Sequence, residues 1–553
     1  MSSISSITKA VSGLNAAQKG LQITAHNLSN VNTQGYTRQS LLQSDSPYAQ
    51  IGNYGGYALK VGLGVTTNEI RQIRNDLIDR RLRSETSVLS YYQTANTTVS
   101  DIQAIFDEPY GDTINDMLKS FWNNIQELNT KPDGVTERTE FIGKAQVLID
   151  KIASVASGLE DYQENINKQV ITTVGKVNQI FEKIRDLNMK IATAEAQGTD
   201  NANDYRDTRN LLIDELSQYG EVSYFEDGTG QVSLQFEGHE VVNKSMCTKI
   251  DLEKIEESFV TDAGEKKVGS GFVTLKWHDS GSDVFRFDSI ISTTNQNATG
   301  SLKAMLAMRG NGYVNSETTW EHLAFNKNVS VDTLGNSYMI PVLQKKLSDF
   351  TNKLVTIVNE ALDGKGIDGK EGVDVFLPIK VPEGVVKPTL SSPPTEEELK
   401  KYNEYNKLLV PGNIMVNPAL TVEGGHNRLG TVSGDENNVG DNSTVSKLLD
   451  AWQKPYDWYK DGTSAAPDPE TSGLHTHFVN MLIDFGTAGE DYIAKVRNLG
   501  DTVLNITNER LAMSSVSQDE EFSNMLKYQY AYNASARMVT MLDNMLDTII
   551  NKM

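Results

Sequence analysis

Residues 4–28 read ISSITKAVSGLNAAQKGLQITAHNL, and residues 518–552 read QDEEFSNMLKYQYAYNASARMVTMLDNMLDTIINK. In the first stretch Ile4, Ile7, Val11, Leu14, Leu21, Ala25 and Leu28 recur at steps of three and four, with Gln18 as the single polar member. In the second, Met525, Tyr528, Tyr532, Ser535, Val539, Leu542, Leu546 and Ile549 keep the same alternation to the last turn. Heptad spacing lines one side of a helix and needs facing helices to bury it. Chain ends normally fray. Apolar seams at both extremes therefore predict two helices that pack on each other and on neighbouring subunits. Ser517 to Glu520 predicts a capping box at the start of the second helix, the serine bonding forward and the glutamate back.

Between these ends the pattern changes several times. Asn30-Val31-Asn32-Thr33-Gln34-Gly35 is a run of turn formers that stops the first helix. Residues 48–66, rich in Gly and Tyr, read as irregular or extended. From Ile70 to about Leu216 the spacing predicts helices, broken near Pro109-Tyr110-Gly111 and at Lys131-Pro132-Asp133-Gly134. Ile166, Val170, Val177, Phe181, Ile184 and Ile191 predict one long amphipathic helix within that span. Val222 and Tyr224, a turn at Asp227-Gly228, then Val232, Leu234 and Phe236 alternate as a β-hairpin. Phe272–Trp277 and Val284–Phe287 read as further strands, so 219–299 is expected to be β-rich. Leu343, Leu347, Phe350, Leu354, Ile357 and Ala361 form another helical seam. Residues 363–440 hold most of the Pro and Gly clusters and read as a loop-rich insertion with one charged helix near Glu396–Lys407.

Composition excludes several functions. At 553 residues the chain suggests about three or four units. With 51 basic and 73 acidic side chains the net charge is 51 − 73 = −22, which repels nucleic acid. The short cluster Arg80, Arg81 and Arg83 reads as a solvated helix face. The single cysteine, Cys247, rules out an internal disulfide framework. No window of about 18 apolar residues is present, so no membrane span is expected. No basic stretch followed by an apolar run opens the chain, so no cleavable secretory signal is expected.

Catalytic and metal templates fail on inspection. Gly364 to Lys370 has the skeleton of a phosphate-binding loop, but Glu371 stands where a magnesium-binding hydroxyl is needed. His239-Glu240 lacks the second histidine of a zinc-protease helix and sits in strand-like sequence. His475 and His477 could meet as ligands on a strand, but no third ligand is near, so a solvated pair is the expectation. Asp435 to Gly440 begins like a calcium loop and lacks its closing glutamate. No catalytic residue, cofactor-binding residue or metal site is expected, and the chain reads as a non-enzyme.

The turn after the first helix carries a resemblance. Asn27-Leu28-Ser29-Asn30-Val31-Asn32-Thr33-Gln34-Gly35-Tyr36-Thr37-Arg38-Gln39 resembles the signature of the bacterial flagellar axial proteins, with Gln34 where that family usually has Pro. The segment from Ser515 to Glu521, with Met525, Tyr528-Gln529, Ala531-Tyr532 and Ala534 to Arg537, resembles the family's closing helix. Phe121-Trp122, Leu128, Pro132, Arg138, Arg206-Asp207, Leu212, Leu216 and Gly300-Ser301-Leu302 fit as intermediate landmarks. With Arg38-Gln39, these point within the family to the subunits of the hook–filament junction.

The resemblance implies an α+β multidomain fold. Its N- and C-terminal helices pair as a coiled-coil inner domain, a helical bundle forms the middle domain, and a β-rich domain lies outside. The expected segments are 1–55 with 498–553 for the coiled coil and 56–218 with 300–362 and 441–497 for the helical domain. Residues 219–299 are then the β-rich domain and 363–440 the insertion. The implied function is a structural flagellar subunit, secreted by type III export without a cleaved signal and located outside the cell. Its implied partners are further copies of itself, the hook protein, the next hook-associated protein and an export chaperone, with no cofactor. Ile4, Ile7, Val11, Leu14, Leu21 and Leu28 are the expected N-terminal assembly residues. Asn30, Thr33, Gly35, Tyr36 and Arg38 form the turn motif. Met525, Tyr528, Tyr532, Val539, Leu542, Leu546 and Ile549 are the expected assembly and chaperone face. A hook or distal-rod subunit is the nearest alternative, ahead of an exported protein with an enzymatic outer domain.

Overall fold

Val135–Glu195 is one helix of 61 residues, about 90 Å long at 1.5 Å per residue, and its proline-free run begins directly after the break at Pro132 to Gly134. The structure is a computed structural model. It describes the chain apart from residues 1, 55–56, 107–112, 197–201, 256–270, 315–317, 389–393, 434–437, 439, 460–462 and 553, and apart from the side chains of 2–5, 49, 51, 53–54, 57–59 and 549–552. The expected break at Pro109 to Gly111 and the calcium-like Asp435 to Asn437 lie outside the described residues. All six seam residues from Ile166 to Ile191 are buried, as their 3.6-residue spacing requires. The chain divides into two units, Met1–Ser87 with Lys176–Lys249 and Leu499–Met553, and Val88–Gly175 with Ile250–Asn498.

In the first unit the helix Ser2–Ser29 pairs with the helix Gln518–Lys552. Strands Gln39–Asp45 and Val65–Gln72 are antiparallel with a bulge after Leu42, and Tyr48–Tyr54 pairs with Tyr57–Gly62. The stretch 48–66 is thus mostly paired strand. Ile70 lies opposite Leu41 in that sheet, so the next helix opens not there but at Asp76, where Asp76 and Asp79 favour a helix N-terminus. Val222–Glu226, Val232–Phe236, His239–Asn243 and Met246–Cys247 form an antiparallel meander in chain order. Asp227 Oδ1 closes its first turn by accepting from the Thr229 and Gln231 amides at 2.9 and 3.1 Å. Phe236 buries itself edge-on against Phe181 at 5.7 Å.

The second unit is built on helices Ile114–Thr130, Ser301–Arg309, Met339–Ala361 and Ser443–Gln453, with parts of longer ones. Leu343, Leu347, Phe350, Leu354, Ile357 and Ala361 are all buried. Phe121 sits 5.1 Å from Phe141 and 5.9 Å from Trp452. Strand Val273–Trp277 pairs with Ile250–Lys254. Val284–Phe287 is not a strand: one bridge joins Asp283 to Lys276, and Val284 and Phe285 are buried on irregular backbone. The run 219–299 is therefore shared between the units and cut after Lys249. Residues 363–440 are more packed than a linker. Phe376–Pro378 pairs with Ile414–Val416, and Val375, Phe376, Leu409 and Leu429 are fully buried. The charged helix is Glu396–Asn406, opened by a capping box between Thr395 and Glu398.

Arg138 ties this segment to the helical core. Wholly buried, its guanidinium donates to the carbonyls of Pro132 (2.6 Å), His426 (2.8 Å) and Leu429 (2.6 Å) and to the Thr431 hydroxyl (2.7 Å). Burial lowers its pKa to about 10, so it still holds its proton at neutral pH. Removing it strands several buried acceptors. Arg138→Met is expected to destabilise the second unit by about 3 kcal/mol or more, read as a lower urea midpoint at an unchanged slope; an unaltered midpoint refutes this.

Candidate functional site

The terminal helices meet in a seven-residue register. Gly13 faces Ser535, Gly20 faces Tyr528, and Asn27 faces Glu521, so numbers rise on one helix as they fall on the other. The pair is antiparallel, and steps of seven on both sides keep the contact in line. On the N-terminal helix the buried positions are Ala10, Ala16, Ala17, Gly20, Ile23, Thr24 and Asn27, nearly all small. A Cβ on Gly20 would lie 2.4 Å from the Tyr528 ring, so only glycine admits that ring in its present place.

This seam is not the one the large apolar residues mark. Ile7, Leu14, Leu21 and Leu28 are half-buried and Val11 is 40% exposed. They sit one residue after the packed positions 13, 20 and 27, a turn of about 100° around the helix. The side chain of Ile4 lies outside the described residues. On the C-terminal helix the expected seam does face inward, through Met525, Tyr528, Val539, Leu542 and Leu546, all half-buried, with Tyr532 at its edge. The Ile549 side chain is outside the described residues. Sequence reading missed a second apolar face on this helix: Phe522, Leu526, Tyr530, Met538, Met541 and Met545 are each more than half exposed. Its signal, apolar residues four apart from 522 to 530, was masked by the stronger heptad alongside.

The turn motif locks the open end of this pair. Asn30 Nδ2 donates to the His26 carbonyl at 3.0 Å, and the Thr33 hydroxyl donates to Asn30 Oδ1 at 3.1 Å. Gly35 has φ +79°, a left-handed conformation that a Cβ disfavours. Tyr36 then turns back, its phenol donating to Asn27 Oδ1 at 2.7 Å. Burial, with the charges of Asp207, Asp204 and Glu521, pushes that phenol well above its usual pKa, so it remains a donor. Asn27, which sequence reading left out of the site, also accepts from the Gln39 amide (3.0 Å) and donates to the Gln39 carbonyl (2.9 Å) and to Glu521 (3.1 Å). Arg38 completes the clamp, with Nε donating to the buried Glu521 at 2.9 Å and Nη1 to Glu520 at 2.6 Å. The capping box is thereby altered: the Ser517 hydroxyl stands a long 3.5 Å from the Glu520 amide, and the Glu520 carboxylate reaches Arg38.

A network of charges continues from the clamp. Asp207 accepts from the Thr37 amide at 3.1 Å and Gln72 Nε2 at 2.7 Å. Arg83 is buried against Asp214 at 2.6 Å, so only Arg80 and Arg81 of that cluster are solvated. Arg510 joins Asp79 (3.0 Å) and Asp214 (2.8 Å). The histidine pair behaves differently from the expectation, because both lie in the first turn of the helix Leu474–Ser514 and point apart. His475 contacts Asn115 at 2.8 Å. His477 is buried, stacked on Trp458 at 3.7 Å, and held between Glu470 (2.7 Å) and the Tyr459 hydroxyl (2.8 Å). Among the described residues no group of three His, Cys, Asp or Glu is placed to hold a metal, and no helix is long and apolar enough to cross a membrane.

Comparisons with known proteins agree with this arrangement. Residues 99–376 match the family described as flagellar hook-associated protein FlgK helical domain. Residues 7–37 match the flagella basal body rod protein family, and 507–552 the flagellar basal body rod FlgEFG protein C-terminal family. The chain is 26% identical over 551 residues to flagellar hook-associated protein 1 of Bacillus subtilis, covering 98% of this chain and 96% of that one. It is 23% identical over 595 residues to the Salmonella typhimurium protein of the same name, covering 99% of each. The flagellar hook junction protein FlgK from Burkholderia pseudomallei is similar over 54% of this chain and 46% of that one, with 15% identity and a TM-score of 0.40. Paired termini carrying rod-family sequence around a helical middle define a flagellar axial protein. Within that class the chain belongs to the FlgK family of flagellar hook-associated proteins, and it is a structural component of the flagellum.

Asp207 gives the clamp a measurable pH signature. Burial is the main cause that raises its pKa from 3.8 to about 6. Above pH 6 the group is ionised in the fold at a cost the unfolded chain does not bear, and as pH falls the fold takes up a proton before the unfolded chain does. Stability contributed through Asp207 rises as pH falls from about 7 to 4, by roughly 2–3 kcal/mol. Denaturant melts of wild type and Asp207→Asn are expected to converge or cross in that direction as pH falls; a difference independent of pH refutes the assignment.

Proposed function

We infer that the protein is the structural subunit joining hook to filament, and that it assembles through the outer faces of its terminal helix pair. The observation that carries this is the partly open heptad Ile7–Val11–Leu14–Leu21–Leu28, half-buried apart from the 40% exposed Val11, together with the more exposed apolar face of the C-terminal helix. Contiguous exposed apolar side chains on a chain carrying a charge of −22 are ordinarily covered by a partner. Further copies of the chain fit both faces, since each offers evenly spaced apolar anchors to another helix. The name of the relatives, flagellar hook-associated protein 1, supports contact with hook subunits, and the next hook-associated protein is the neighbour proposed on the other side. Before assembly a helical export chaperone covers the C-terminal helix from Met525 to Ile549, and type III export takes the chain out without a cleaved signal. A strain lacking the gene should keep its hooks and shed unassembled flagellin.

The alternative of a hook or distal-rod subunit shares the rod-family sequence found at both chain ends and is separated by the same experiment. In that case the deletion strain loses the hook itself.

The displaced seam makes a specific prediction. Leu14→Asp should lower stability only modestly, by about 1 kcal/mol, because the residue is half-buried at the edge of the helix pair. The same substitution should abolish incorporation into the axial structure, where an unpaired carboxylate becomes buried. Leu542→Asp, on the inner face, should weaken the helix pair as well. Normal motility with Leu14→Asp eliminates the outer face as an interface.

A further inference from the structure

We propose that Met538, Met541 and Met545 form an oxidant-sensitive modification site: hydrogen peroxide converts them to sulfoxides in the free subunit, and the modified subunit no longer assembles. This rests on the assembly reading above. The three follow one another at steps of three and four, so they share one side of the C-terminal helix. Their exposures are 52%, 52% and 53%. They continue the apolar face of Phe522, Leu526 and Tyr530, turned away from the Gly13–Ser535 and Gly20–Tyr528 contacts. Met308 and Met481, at 2% and 3% exposure, are enclosed in the second unit and provide internal controls.

The chemistry is balanced and local. The thioether sulfur attacks one peroxide oxygen, the O–O bond breaks, a sulfur–oxygen bond forms and water leaves. Sulfur is oxidised by two electrons and the peroxide is reduced by two. Each sulfoxide replaces a soft, flexible apolar group with a strong hydrogen-bond acceptor. Three of them within two helical turns make the face costly to bury against an apolar neighbour, because none finds a donor there. Accessibility limits the reaction to the unassembled chain. It limits repair in the same way, since a sulfoxide reductase must reach the sulfur.

The test uses the full-length subunit added to hooks isolated from a strain lacking the gene. Peroxide treatment should add about 16 Da at each of the three methionines and leave Met308 and Met481 reduced in peptide maps. Incorporation should fall roughly tenfold or more, and methionine sulfoxide reductase should restore it. The variant Met538→Leu/Met541→Leu/Met545→Leu should incorporate equally with and without peroxide while keeping every other methionine. Subunit carrying all three sulfoxides that incorporates like untreated protein overturns the proposal. So does a triple variant that loses incorporation on oxidation as wild type does. Should the triple variant fail to incorporate untreated, reductase rescue of oxidised wild type decides, and lack of rescue overturns the proposal. Failure of untreated wild type to incorporate counts against the assembly reading and not against the oxidation.

Discussion

A single buried amide, Asn27, sets the geometry of the paired ends. Its oxygen accepts from the Tyr36 phenol and the Gln39 amide, and its nitrogen donates to the Gln39 carbonyl and to Glu521. These four hydrogen bonds use every donor and acceptor of the asparagine side chain, so the residue admits one register between two helices nearly five hundred positions apart. The layers at Gly20–Tyr528 and Gly13–Ser535 follow from it by steps of seven. Glu521 would be a costly buried charge by itself, worth about 3–5 kcal/mol if left unpaired. Arg38 and Asn27 together neutralise and orient it. A polar layer of this kind selects alignment at some expense of stability, as polar residues in coiled-coil seams do.

The N-terminal helix carries two heptads, one residue apart. The small one, with Ala10, Gly13, Ala17, Gly20, Thr24 and Asn27, packs within the chain. The large one lies beside that contact and is only half covered, with Val11 the most open member. Small side chains let the helix accept the bulky Tyr528 ring, while large ones offer area to a partner. The division assigns the intramolecular contact to shape and hydrogen bonding, and leaves the hydrophobic area for association.

Much of this was legible before the structure. The seams at 166–191 and 343–361 are long, clean and fully buried, and periodicity reads such cases well. The terminal helices and their pairing were legible too, as was the inward face of the C-terminal helix. What periodicity could not show was which of two adjacent heptads on the N-terminal helix makes the close contact, because hydrophobicity favours Leu14 while the near approach to the other helix is at Gly13, where a Cβ would lie 3.1 Å from Ser535. Asn27 was hidden for a related reason: an amide in a seam looks like a defect until its partners at Gln39 and Glu521 are known. Residues 363–440 misled by their prolines, which interrupt helices without preventing Phe376 and Leu409 from reaching a core. His477 misled by its neighbour, since spacing of two means adjacency on a strand and divergence on a helix.

The antiparallel pairing also has a temporal meaning. Ser2–Ser29 is synthesised well before its partner Gln518–Lys552, which lies nearly five hundred positions further on. A molecule interrupted anywhere between them has an alanine- and glycine-lined groove with nothing to fill it, and a Glu521 layer that never forms. Closure of the pair therefore reports that everything between the two helices has been made. Any machinery that accepts only closed pairs excludes truncated molecules without having to inspect what lies between.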